Sequence, residues 1–197
     1  MCRVFLTPEI LLRAYMSGAF PMAHPEENND IFWHMPETRG LIPLDHRFHV
    51  PKNLAKLYRS NRFDFTINRD FEQVITACSQ SRVDGTWISD DILELYTQLH
   101  EMGYAHSFET RLDGELVGGL YGVAMGKAFF GESMFHHVRD ASKLALVFLV
   151  EFLRGRKFQL LDTQYLNPHL LQFGAYEISA FQYKQLLAEA LKETESE

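Results

Sequence analysis

Two segments of this chain carry polar groups in otherwise apolar runs, and a third carries a stripe of basic ones. In Phe129-Phe130-Gly131-Glu132-Ser133-Met134-Phe135 an acid interrupts a hydrophobic run. Burying a lone carboxylate is costly, so Glu132 must be paired or hydrogen-bonded. Strict alternation would put it on one face with Phe130 and Met134. In Leu160-Leu161-Asp162-Thr163-Gln164-Tyr165-Leu166-Asn167, Asp162 ends a hydrophobic strand and two amides follow in the next loop. Active sites of α/β proteins gather at such carboxyl ends. An acid and two amides there suit the alignment of a nucleophilic amine with an ester. The competing reading is an Asp that only caps a turn.

The third segment is basic. Lys52, Lys56 and Arg59 fall at i, i+4 and i+7 behind Pro51, and so share one helix face. From Asp45 to Arg69 there are six basic residues against two acidic ones. Such a stripe either faces water or binds phosphates. Trp33 and Trp87 fall in stretches that read as loops, where a ring can stack on a base or close the edge of a core. The nine histidines show no metal-ligand spacing with carboxylates or thiols. Gly118, Gly119, Gly122 and Gly126 do not form a phosphate-cradling loop. Inside a strand they mean close backbone approach, either to the protein's own elements or to a ligand.

The elements that must hold these groups follow from pattern. Thr7-Pro8 opens a helix that Gly18 stops. Residues 20 to 43 are rich in proline and read as loop. A short helix starts at Pro51, and Phe63, Phe65 and Ile67 alternate as a strand. Phe71, Val74, Ile75 and Cys78 recur at helical spacing. Ser89 caps a helix that ends at Gly103. Three strands follow as a meander, 104–112, 115–125 and 128–135, with Asp113-Gly114 as a hairpin turn. A helix from Asp140 to Arg154, a strand at 158–163 and a helix from Ser179 to about Leu191 complete the chain. This is an α/β (α+β) plan, a mixed sheet flanked by helices.

Composition bounds the rest. The chain has 197 residues, 46% hydrophobic, with 26 acidic and 19 basic side chains and a formal charge of −7. That is enough for one full core, and it disfavours a generic basic nucleic-acid binder. Cys2 and Cys78 suggest reduced thiols and no disulfide framework. The N-terminus does not read as a signal peptide, and Leu144 to Val150 is too short to span a bilayer. A soluble cytoplasmic protein is the expectation.

Taken together, GTWIS (Gly85 to Ser89), LHEMGYAHSFE (Leu99 to Glu109), LVGGLYGVAMG (Leu116 to Gly126), FFGESMF (Phe129 to Phe135), DASKLAL (Asp140 to Leu146) and LLDTQYLN (Leu160 to Asn167) resemble the leucyl/phenylalanyl-tRNA–protein transferase family. The resemblance runs from about Thr7 to Leu191. It implies an acetyltransferase-like (GNAT-like) catalytic domain at 41–197 behind a reduced N-terminal subdomain at 1–40. It implies transfer of Leu or Phe, and less well Met, from aminoacyl-tRNA to the N-terminal amine of proteins that begin with Arg or Lys, feeding N-degron degradation. It implies no metal, no diffusible cofactor and no membrane, and a monomer is expected.

By the same resemblance, Asp162 and Gln164 match the acid and amide of catalysis, with Glu132 beside them. Asn167 is a polar residue of the same pocket. Ser133, Met134, Leu146 and Leu149 lie in segments that line the amino-acid side-chain pocket. Trp87 matches an aromatic near the donor's terminal adenosine. Lys52, Lys56 and Arg59 match a basic helix that holds the acceptor stem. The chain departs from the family pattern at Phe20-Pro21-Met22-Ala23, where Phe-Pro-Trp-Phe is usual, and at Phe32-Trp33-His34-Met35-Pro36, where Trp-Trp-Ser-Pro is usual. Two other readings compete: a CoA-dependent N-acyltransferase, disfavoured because Val138 to Ser142 has no glycine, and a non-catalytic binder of N-terminal peptides or tRNA.

Overall fold

The computed structural model describes residues 6–24, 30–80 and 88–192. Helix α1 (Pro8–Ser17) begins where Thr7 Oγ1 accepts from Ile10 N at 3.4 Å, and it ends at Gly18 with φ 85°. The next stretch was expected to be loop, and it is not. Strands β1 (Phe20–His24) and β2 (Asp30–His34) pair with each other, and β3 (Thr38–Leu41) enters the main sheet. Proline hides such strands from pattern reading, because it is tolerated only at edges and ends of a ladder. A two-stranded ribbon consists of edges only.

Helix α2 (Lys52–Tyr58) precedes β4 (Asp64–Ile67), α3 (Phe71–Gln80) and α4 (Asp90–Glu101). Ser89 caps α4 as its position suggests, with its Oγ accepting from Ile92 N at 3.4 Å. The meander is β5 (Ala105–Leu112), β6 (Glu115–Met125) and β7 (Ala128–His136). Asp113 and Gly114 both have positive φ, as a two-residue hairpin turn requires. Helix α5 (Ala141–Gly155), β8 (Leu160–Gln164), a 3₁₀ segment (Pro168–Phe173), β9 (Tyr176–Ser179) and α6 (Ala180–Lys192) follow.

The seven-stranded sheet has the order β4-β5-β6-β7-β8-β3-β9, and β7 runs parallel to β8. One face is covered by α1, α3, α4 and α6 around Tyr15, Val74, Tyr96, Phe130 and Tyr183. The other is covered by α2 and α5 around Leu54, Phe129, Leu144 and Val150. The result is three layers, α/β/α.

Two irregularities shape the middle of the sheet. Tyr121 pairs with Ser133 but Gly122 pairs with Gly131, so Glu132 is an extra, unpaired residue in β7. This bulge overturns the expected alternation. Phe130 faces the α1/α4 side, whereas Met134 packs on the α5 side. One inserted residue moves everything beyond it to the opposite face. The second irregularity is that β7 and β8 stay paired only from Ala128/Leu160 to Phe130/Asp162. Beyond that point β8 continues with β3 alone.

The glycine run serves packing by the protein itself. A Cβ on Gly118 would sit 2.5 Å from Ala141 Cβ at the start of α5. One on Gly122 would sit 2.2 Å from Phe130 O and 2.5 Å from the Phe129 ring, at the bulge. No ligand is needed to account for them. Gly122→Ala is expected to destabilise the protein by about 1–3 kcal/mol, as overpacking does. The shift of the urea midpoint measures it.

Candidate active site

Where β7 and β8 part, a cavity of about 440 Å³ opens. Its apolar end is formed by Ile42, Leu120, Met134, Leu146, Leu149 and Leu161. Its polar end carries Glu132, Ser133, Thr163, Gln164 and Asn167, and Phe20, Pro21, Met22 and Tyr165 lie at its border. The bulge makes this possible. It turns Met134 toward α5, where Leu146 and Leu149 already face, and leaves Glu132 on the side of α1 and α4.

The two acids that the sequence singled out are in opposite situations. Asp162 is fully buried and fully occupied. Its Oδ1 accepts from Arg39 Nε at 2.9 Å and from Gln164 N at 2.8 Å. Its Oδ2 accepts from Arg39 Nη2 at 2.6 Å, Arg39 Nε at 3.0 Å and Tyr183 Oη at 2.7 Å. Arg39 is only 2% exposed and gives its remaining nitrogen, Nη1, to Gly18 O at 2.8 Å. Its guanidinium lies between the rings of Phe20 and Tyr183, 4.7 and 4.4 Å from their centroids. Burial alone would lower the Arg39 pKa, but the hydrogen bonds and charge of Asp162 hold it above the ordinary value. Burial and the Asp162 charge push the Tyr183 hydroxyl up as well. Asp162 does not line the cavity. It stands behind Gln164 and holds that residue's backbone.

Gln164 shows the effect. It ends β8 with φ 57°, a left-handed conformation unusual outside glycine. That turn aims its amide at the cavity, where Nε2 donates to Glu132 Oε1 at 3.1 Å. Glu132 also accepts from Tyr15 Oη at 2.7 Å on Oε1 and from Tyr96 Oη at 3.2 Å on Oε2. The two tyrosine hydroxyls are themselves in short contact. Among the described residues these three partners of Glu132 are neutral, and none is a cation. Burial pushes its pKa up to about 7; the two hydroxyls and distant Arg39 pull it down, and Asp162 adds repulsion. Tyr15 and Tyr96 are held well above the usual tyrosine value by burial and by the Glu132 charge.

Asn167 is exposed and caps the 3₁₀ segment, its Oδ1 accepting from His169 N at 3.4 Å while contacting His169 Nδ1 at 2.8 Å. Thr163 Oγ1 is buried without a partner among the described residues. Lys52 and Lys56 are exposed on α2, and Arg59 is exposed at its C-cap. That helix is anchored by buried Leu54 and by Tyr58, whose hydroxyl donates to Glu151 of α5 at 2.7 Å. Trp87 lies outside the described residues. Sequence reasoning missed Arg39, Tyr15, Tyr96 and Tyr183. Tyr15 and Tyr96 lie in helices at core-facing spacing, which by itself signals burial and no chemistry, and nothing near Arg39 in sequence signals its partner.

A cleft that is apolar at one end and carries a carboxylate and an amide at the other is the kind of site that suits acyl transfer. The description "Leucyl/phenylalanyl-tRNA protein transferase" matches residues 41–188, and the N-terminal domain of the same family matches residues 6–37. The chain belongs to the leucyl/phenylalanyl-tRNA–protein transferase family. It is 53% identical over 191 residues to the Leucyl/phenylalanyl-tRNA--protein transferase of Paramagnetospirillum magneticum, covering 96% of this chain and 91% of that one. It is 51% identical to the enzyme of the same name from Akkermansia muciniphila, covering 95% of this chain and 97% of the relative. Among solved structures, a ribosomal-protein-alanine N-acetyltransferase from Brucella melitensis biovar Abortus is similar at TM-score 0.41 and 18% identity, covering 56% of this chain and 84% of that one.

Removing one member of the buried pair leaves the other charge uncompensated. Asp162→Ala and Arg39→Ala are each expected to cost about 3–5 kcal/mol of stability. The double substitution should cost less than their sum, because the two residues share one interaction. Chemical denaturation of the four proteins of the cycle gives the coupling.

Proposed function

We propose that this chain moves Leu or Phe, and less well Met, from aminoacyl-tRNA to the N-terminal amine of proteins that begin with Arg or Lys. The observation that carries this reading is the cavity between β7 and β8, apolar on the α5 side and polar at Glu132 and Gln164. An unbranched-β apolar side chain fits between Met134, Leu146 and Leu149. Its ester carbonyl then lies toward Ser133, Gln164 and Asn167, where the acceptor amine must also arrive. Gln164 orients the amine, and Glu132 offers a carboxylate beside it. Asp162 contributes to catalysis by holding Gln164 in its left-handed conformation. Aminoacyl esters are already activated, so positioning supplies much of the rate.

The donor's phosphates meet Lys52, Lys56 and Arg59. Because α2 is tied to α5 through Tyr58 and Glu151, that basic face keeps a fixed relation to Leu146 and Leu149. Phosphate contacts carry no base sequence, which suits the use of different tRNAs bearing one amino acid. Trp87 belongs to this reading as the aromatic near the terminal adenosine. Met22, which stands where the family has Trp, borders the cavity. Beside the acetyltransferase-like domain proposed for 41–197, the N-terminal subdomain proposed for 1–40 takes part in the site through Tyr15, which reaches Glu132. Among the described residues no helix is long and apolar enough to cross a membrane. A monomer acting in the cytoplasm, and feeding degradation of the modified proteins, completes the proposal.

The test is direct transfer of label from charged Leu-tRNA or Phe-tRNA to a peptide that begins with Arg. Absence of labelled peptide, with a control transferase active in the same assay, overturns the reading. In filter binding, joint Lys52→Ala and Lys56→Ala substitution is expected to weaken tRNA affinity and reduce the salt slope by roughly 2, one for each lost phosphate contact. Gln164→Ala is expected to lower transfer by about 100-fold or more with tRNA affinity unchanged.

A further inference from the structure

The hydrogen bonds around Glu132 pose a question of proton number. Glu132 Oε1 meets Tyr15 Oη, Tyr15 Oη meets Tyr96 Oη, and Tyr96 Oη meets Glu132 Oε2. These three contacts close a ring of oxygens. Each hydroxyl brings one proton, so with Glu132 ionised two protons must serve three contacts. One oxygen pair then faces the other with no hydrogen between. A third proton, on Oε2, completes the ring: Glu132 donates to Tyr96, Tyr96 to Tyr15, and Tyr15 to Oε1. Gln164 Nε2 still donates to Oε1. The arrangement is therefore built with one proton vacancy, and it borders the cavity.

Asp162 offers no such vacancy. Every one of its partners is a donor, and one of them is a guanidinium. Protonating it would break a buried ion pair. Of the two acids, only Glu132 reaches the cavity.

We infer that Glu132 is the proton acceptor of the transfer reaction, and that Tyr15 and Tyr96 are positioning residues whose hydroxyls donate to its carboxylate. The inference rests on the proposed reaction and identifies its base. The acceptor enters as a free amine, after solvent has taken the ammonium proton. Its nitrogen attacks the ester carbonyl carbon, and as the C–N bond forms one N–H proton passes to Glu132 Oε2. The bond between that carbon and the ribose oxygen then breaks, and the same proton passes from Glu132 to the leaving ribose oxygen. Amide and ribose hydroxyl result, the carboxylate is restored, and no outside oxidant or reductant is needed. A carboxyl whose pKa stands near 7 is suited to both transfers.

The groups facing Glu132 are Tyr15 on α1, Tyr96 on α4, Gln164 and Asp162 on β8 and, farther away, Arg39 on β3. The hydrogen bonds of the Tyr15 and Tyr96 hydroxyls run to each other and to Glu132, so changing them takes no partner from the Asp162 pair. The test uses the full chain, Leu-tRNA and one Arg-initiated peptide, with rates at saturating tRNA across about pH 5 to 9. The same peptide throughout makes the amine's own titration common to all profiles. Glu132→Gln is expected to lower transfer by about 100-fold or more and to remove the enzyme's acidic limb. Tyr15→Phe and Tyr96→Phe each take a donor from the carboxylate, so the acidic limb moves to higher pH. The rate at pH 7 falls by roughly fivefold for a limb displaced by about one pH unit from about 7, and returns at pH 9. Affinity for tRNA stays unchanged.

Infrared difference spectra of the unliganded protein against Glu132→Gln give a readout independent of activity. They should show a carboxylic acid band that fades as pH rises through about 7. Persistence of that limb in Glu132→Gln, or tyrosine variants whose profiles scale down without moving, overturns the inference even where wild-type transfer is robust. So does a Glu132 carboxyl already ionised at pH 5. Failure of wild-type transfer strikes the proposed function instead, and the infrared titration still reports on the ring.

Discussion

Arg39 and Asp162 meet inside the molecule, away from water, and most of the site hangs on their contact. Arg39 belongs to β3 and Asp162 to β8, so the pair joins two strands just where β8 leaves β7. Through Gly18 it ties down the end of α1, through Phe20 the start of the β1–β2 ribbon, and through Tyr183 helix α6. A buried ion pair of this kind contributes little net stability compared with apolar packing. What it contributes is geometry. The N-terminal segment cannot shift without breaking it, and Tyr15 therefore stays within reach of Glu132.

The contrast between the two acids follows from the same arrangement. Both lie on neighbouring strands in the middle of one sheet. Asp162 sits on the last paired rung, where a guanidinium, a tyrosine and a backbone N–H converge on it. Glu132 sits two residues past that rung on β7, at a bulge, and among the described residues it meets neutral donors. The first is fully paired, with a guanidinium among its donors. The second keeps a charge that burial disfavours. In the proposed reaction, chemistry falls to the acid that lines the cavity, and architecture to the one sealed in an ion pair.

Much of this was legible in the chain. The caps Thr7 and Ser89, the Asp113-Gly114 turn, the meander and α5 follow from local rules, and the structure has them where pattern puts them. Glu132 stood out because an acid in an apolar strand demands partners, and it has them. The ribbon β1–β2 and the short strands β3 and β9 were not legible. They span four or five residues, include proline or polar positions, and are stabilised by neighbours distant in sequence. The face of Met134 was misjudged for a related reason: a bulge leaves no local mark, yet it inverts every side chain beyond it.

The sequence by itself determined the family, the layered class of the fold and the identity of Glu132, Gln164 and Asp162 as unusual polar residues. These depend on residue type and short spacing, which one-dimensional patterns record. Only the tertiary structure decided which acid is sealed and which is open. That choice depends on Arg39, Tyr15, Tyr96 and Tyr183, which approach from four different elements. A carboxylate's charge state is set by what surrounds it within a few ångströms, and for these two acids most of that comes from residues distant in the chain.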